Sequence, residues 1–243
     1  MLTEKTILEI NKITYKMTKH KNEDRDKEIG EALVTSETFL SKNKNGIVGG
    51  FIAIIVIIVA VLVYKNFYAA PQEQKAQEAI FMGQEYFDNG MYDMALNGDS
   101  ITFNGLLNVA NEYSGTKTGD LANYYIGVSY QKLGQFENAI KYLEKFQAKD
   151  EMVYPTSLLT LGNCYAEVDQ LDKAVSTLQK AASVANNTTI SPIALRQAGI
   201  ILEKSGKYKE ALDQYMIIKD TYYTSPLSLD IDKYIERAKA QMN

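Results

Sequence analysis

The chain of 243 residues has one cysteine, one histidine and no tryptophan. A lone cysteine, Cys164, closes no intramolecular disulfide, so no disulfide framework organises the fold. Its place inside a helical pattern reads as a small buried residue rather than a reactive thiol. A lone histidine, His20, makes neither a metal site nor a catalytic dyad. Ser-His-Asp and Cys-His sets are missing, and no glycine loop has the spacing that cradles phosphate. Paired acids such as Asp150-Glu151 and Asp230/Asp232 read as helix-end residues. These gaps predict a non-enzymatic chain with no metal and no cofactor. Strong net charge is absent as well: residues 66–243 carry sixteen Lys and Arg against twenty-two Asp and Glu. That mild acidity disfavours nucleic acid and anionic lipid as ligands.

What is present is a period. Ile126-Gly127 is followed by Tyr130, Gly134, Phe136, Ala139 and Leu143. Leu161-Gly162 is followed by Tyr165, Asp169, Leu171, Ala174 and Leu178. Ala198-Gly199 is followed by Leu202, Gly206, Tyr208, Ala211 and Tyr215. The copies stand about 35 residues apart, the length of one helical hairpin in a stacked array. Small residues at Gly127, Gly162 and Gly199 let one helix approach its partner near Ala139, Ala174 and Ala211. Tyr130, Tyr165 and Leu202 fill the space around that contact, and turn residues such as Gly134 and Gly206 separate the helices. A damaged copy precedes these, with Met82-Gly83, Tyr86, Gly90, Tyr92 and Ala95. Its next glycine comes late, which places extra residues in Leu96–Ile101 and predicts a second helix resuming near Phe103, with Leu106, Leu107 and Val109 inward. Past Ser225-Pro226, Ile231, Ile235 and Ala238 share one helical face and predict a cap over the last hairpin.

The fold class is therefore all-α, an α-solenoid of about four hairpins with a C-terminal capping helix. Repeats are expected at about 76–114 with the insertion, 120–153, 155–188 and 192–225, with the cap at about 226–241. These residues resemble the tetratricopeptide repeat family, whose pattern is W-x2-L-G-x2-Y followed by small and aromatic positions. The departures are the missing Trp and Leu202 in place of Tyr. Resemblance implies a protein-binding groove lined by the first helix of each hairpin. By register that groove holds Tyr124, Val128, Gln131, Leu159, Asn163, Arg196 and Ile200. The carboxylate clamp of some members is absent, since Tyr124, Val128 and Leu159 stand where its polar groups would be. An apolar-leaning groove suits extended or helical protein segments; the same residues also fit simple packing between neighbouring helices.

The second feature is a run without charge from Asn45 to Tyr64, wholly apolar from Phe51 to Val63. At about 1.5 Å per residue it spans about 30 Å, the hydrocarbon thickness of a bilayer. It predicts an uncleaved transmembrane helix at 46–65 that contacts the lipid bilayer. Lys42 and Lys44 before it and Lys65 after it bias residues 1–45 to the cytoplasmic side and the repeats outward. Gly46, Gly49, Gly50 and Ala53 have the spacing of a membrane-helix packing face, though glycine is also common at membrane edges. In residues 1–45, Leu2, Ile10, Ile13 and Met17 share one helical arc and four lysines another, the pattern of an amphipathic helix or of a solvated, partly disordered tail.

Tail, span and acidic repeats in that order resemble the YfgM-like family of bacterial inner-membrane proteins, ancillary subunits of the Sec translocon. Phe39-Leu40-Ser41-Lys42-Asn43-Lys44 leading into the span and Tyr64-Lys65-Asn66 leaving it carry the likeness, over roughly residues 31–241. It implies a chaperone-like scaffold facing the periplasm, with translocon subunits, a periplasmic chaperone or emerging polypeptides as partners. Two other readings stand beside it: an inward-facing adaptor gathering cytoplasmic proteins, and an accessory subunit of another membrane complex.

Overall fold

The computed structural model describes residues 42–99 and 101–242. The chain divides into two units, Met1–Lys65 and Asn66–Asn243. The amphipathic pattern of the N-terminal tail lies outside the described residues. Among those described, every regular element is helical, with no strand.

In the first unit, helix α1 runs Lys44–Tyr64. It is long and apolar enough to cross a membrane. Its large side chains, from Val48 and Phe51 through Val63, are exposed on every side. Each such side chain left in water forgoes about 1.5–3 kcal/mol of burial.

Among its described residues the second unit holds ten α-helices, arranged as four hairpins, the first with its second helix broken in two, and a cap. Hairpin one comprises α2 (Ala70–Asp88), α3 (Tyr92–Asn97) and α4 (Leu106–Glu112). Hairpin two is α5 (Lys117–Lys132) and α6 (Phe136–Leu143), and hairpin three is α7 (Val153–Glu167) and α8 (Leu171–Ala185). Hairpin four is α9 (Ile190–Lys204) and α10 (Tyr208–Thr221). A 3-10 turn, Pro226–Asp230, leads into the cap α11, Ile231–Ala240. Ile231, Ile235 and Ala238 are buried, as their shared face predicted.

One turn is used four times. The first helix of each pair ends with two backbone bonds that satisfy its last carbonyls: Gly134 to Gln131 and Gln135 to Tyr130 in hairpin two, for example. The matching bonds in hairpins one, three and four start from Gly90 and Met91, from Asp169 and Gln170, and from Gly206 and Lys207. The residue after the helix must be left-handed, and Asp169 adopts φ +60° where the other copies place glycine.

The helical glycines do the work expected of them, but on a different partner. A Cβ on Gly127 would lie 2.5 Å from Leu143 Cγ, and one on Gly162 would lie 2.6 Å from Leu178 Cγ. Gly199 faces the Tyr215 ring and Gly83 faces Leu106 in the same way. The alanines named from the sequence are buried beside this contact, and the carbonyl of Ala174 also closes on Gly162, at 3.3 Å. The tightest approach, however, belongs to the large residue one turn later. Cys164 is fully buried, and burial pushes its thiol up to about 12.

Hairpin one shows how the insertion is absorbed. Its second helix stops at Asn97 and resumes at Leu106, three residues later than predicted. Phe103 is buried in the loop instead, with its ring 6.1 Å from that of Tyr86. Leu106 takes the place held by Leu143 and Leu178 in intact copies, so the contact on Gly83 survives. Asp99 organises the loop: its Oδ1 accepts the N–H of Ile101 at 2.9 Å, Thr102 at 2.8 Å and Phe103 at 2.9 Å. Its Oδ2 accepts the hydroxyls of Tyr86, at 2.9 Å, and of Thr102.

Hydrogen bonds from Thr102 and from these backbone groups hold the Asp99 carboxyl well below the usual carboxylate range. A depressed folded-state pKa contributes stability that is present above the unfolded value, about 4, and lost as pH falls toward the folded one. The loop amides of Ile101, Thr102 and Phe103 should therefore keep their exchange protection through pH 4. In Asp99→Ala that protection should be gone at neutral pH. Hydrogen exchange at Thr102 measures both, and equal protection in the variant would refute the assignment.

Candidate protein-binding surfaces

Successive first helices α2, α5, α7 and α9 pack side by side. On α5, Tyr124 is half-buried, with its ring 5.5 Å from Tyr125 and 5.8 Å from Phe146. Burial first, then the neighbouring Tyr125 and Asp150, raise its phenol pKa. Val128 is only 8% exposed and belongs to the core shared by hairpins two to four, so it offers no free surface. Gln131 is half-buried. On α7, Leu159 leans on the same core and Asn163 is half-buried one turn away. On α9, Arg196 and Ile200 are half-buried, and Arg196 makes no ion pair with a described residue. The face is a row of half-buried side chains of mixed polarity, with one unpaired guanidinium. On α1, no described residue packs within 4 Å of a Cβ placed on Gly46, Gly49 or Gly50, and Ala53 is exposed.

A second surface was not read from the sequence. The second helices of hairpins three and four are 15 and 14 residues long, whereas α6 has 8. By register, residues 144–150 should continue it. They read Glu-Lys-Phe-Gln-Ala-Lys-Asp, without glycine or proline, and helix propensity alone would wind them up. Tertiary bonds override it. Asp120, on α5, accepts the N–H of Gln147 at 3.0 Å and of Ala148 at 2.8 Å. Phe146 is buried against Tyr124.

The unwound segment forms one wall of a cleft of about 1000 Å³. Its other walls are α4, the 113–116 turn and the first turns of α5. That end of α5 is fixed by Glu73, whose carboxylate accepts the N–H of Lys117 at 2.8 Å and of Thr118 at 3.1 Å, and the Thr118 hydroxyl at 2.6 Å. Burial pushes the Glu73 carboxyl up, but these bonds outweigh it and the net shift is downward. On the other side of the segment lies a smaller cleft of about 390 Å³, lined by Leu143, Phe146, Leu161 and Tyr165 among others.

Known proteins bear on the fold. The family model for the suppressor of spindle checkpoint defect 1 C-terminal domain matches residues 127–225, from hairpin two to the end of hairpin four. A curated relative, response regulator aspartate phosphatase E of Bacillus subtilis (strain 168), is 31% identical over 83 residues. Those residues make up 33% of this chain and only 22% of that protein. Among solved structures, the Podosopora anserina putative kinesin light chain with nearly identical TPR-like repeats aligns at a TM-score of 0.53 and 15% identity. The alignment covers 69% of this chain and 86% of that one. Its Q17M form aligns over the same shares at 0.52. The repeat unit thus has the fold of a TPR-like solenoid.

Proposed function

We propose that the chain is a membrane-tethered scaffold that binds proteins beside the Sec translocon, with α1 in the bilayer and the repeats in the periplasm. The supporting observation is the pairing of α1, apolar and exposed along its length, with a TPR-like array bearing two open surfaces. Water is a poor solvent for α1, and a lipid bilayer is a good one. Lys42 just before it and Lys44 at its first position favour a cytoplasmic N-terminus. The groove from Tyr124 to Ile200 would then meet translocon subunits, a periplasmic chaperone or emerging chains.

A compartment-sensitive reporter fused after Asn243 tests the placement. Activity only outside the cytoplasm is the expected result; activity only inside rules the reading out in favour of an inward-facing adaptor. Photocrosslinkers at Tyr124 and Arg196 should then label translocon subunits or exported chains, and their consistent absence from the products would count against the translocon.

A further inference from the structure

Backbone N–H groups of Lys149, Asp150 and Glu151 bond to no described residue, although they line or border the larger cleft. Free backbone donors beside a cleft can donate hydrogen bonds to the carboxylates of a ligand.

Charge says which ligand. Lys117, Lys145 and Lys149 surround the cleft, and none makes an ion pair with a described carboxylate. The stem of Lys145 is steadied by its ammonium lying 4.8 Å from the centre of the Tyr142 ring. Two carboxylates also line the cleft, but both are engaged. Asp120 accepts the backbone of Gln147 and Ala148, and Asp150 accepts the N–H groups of Met152, at 2.9 Å, and Val153, at 2.6 Å. Hydrogen bonding leaves those two carboxylates charged, so the three lysines give the cleft lining one net positive charge on a domain that is net acidic. The volume lies within the range of occupied binding pockets.

We propose that this cleft seats an acid-rich segment of a partner polypeptide. Its carboxylates meet Lys117, Lys145 and Lys149 and accept the free N–H groups of Lys149, Asp150 and Glu151. This rests on the protein-binding part of the reading above and is independent of the translocon and of topology.

The test uses the purified full chain in mild detergent and a labelled peptide alternating Glu and Thr. Saturable binding is expected that weakens with added salt. The Lys117→Gln/Lys145→Gln/Lys149→Gln variant should weaken it about tenfold or more, and Lys209→Gln, in hairpin four, should leave it unchanged. A peptide alternating Lys and Thr should not bind. All three lysines are exposed, so the variant folds, which its helical signal would verify. No binding of the Glu peptide, equal binding of the Lys peptide, or an unaffected triple variant would each overturn the proposal. A reporter on the wrong side of the membrane would overturn the translocon reading and leave this one standing.

Discussion

Tyr215→Ala should cost about 3–5 kcal/mol, the range for deleting a fully buried aromatic ring. The Tyr215 side chain is wholly inaccessible. Its ring lies across the face of Gly199 and 5.4 Å from Tyr234 on the cap. The hydroxyl sits beside the ion pair of Arg237 and Glu203, 2.6 Å apart, within their reach but without a well-formed hydrogen bond to a described residue. Ring packing rather than the hydroxyl should therefore carry the effect, and Tyr215→Phe should stay within about 1 kcal/mol. Stacked repeats lose stability locally, so the loss should appear as faster amide exchange in α9, α10 and α11, with hairpins one to three largely unchanged. If the phenylalanine variant proved as damaged as the alanine one, packing would not be the cause.

Gly162→Val should destabilise by about 3 kcal/mol, at the upper end for forcing extra methyl groups into a packed contact. The first added carbon already falls 2.6 Å from Leu178 Cγ and 3.3 Å from the Ala174 carbonyl, and Leu178 is fully buried. Leu178→Ala alone should cost about 2–5 kcal/mol through the cavity it leaves. Together the two changes should cost clearly less than their sum, because each removes the other's fault; coupling between touching residues runs to about 0.5–3 kcal/mol. Denaturant titration of the four proteins measures it, and strict additivity would mean that Gly162 and Leu178 do not share the space as described.

The glycine frame was legible because a close helix crossing leaves so few residues to choose from. The cap was legible too, since Ile231, Ile235 and Ala238 repeat on one face and all three are buried. The insertion was found from the late glycine, but not the point where its helix resumes. Phe103 looked like a helical residue and instead fills the loop beneath Tyr86. The early end of α6 left no trace in local sequence. Glu144 to Asp150 are helix-compatible, and the cause is a carboxylate, Asp120, which lies on another helix. Propensity sees neighbours along the chain and is blind to such a bond. The larger cleft exists because of that bond, so it was invisible for the same reason. Val128 illustrates the converse: its register placed it on a groove, and close packing of the first helices buried it.

Glu73 has a mechanical consequence. Tension entering the repeat unit through Asn66 would reach α2 at its start, where Glu73 lies in the first turn. That carboxylate accepts three hydrogen bonds, one from Lys117 and two from Thr118. A pull is thereby shared with α5 before it travels down α2 to the break between Asn97 and Leu106. Hairpins one and two are strapped in parallel at the end where force arrives, and the irregular loop lies off the line of strain. Cutting the strap, as in Glu73→Ala, would place that loop in series with the load, and α3 and α4 would become the first elements to yield.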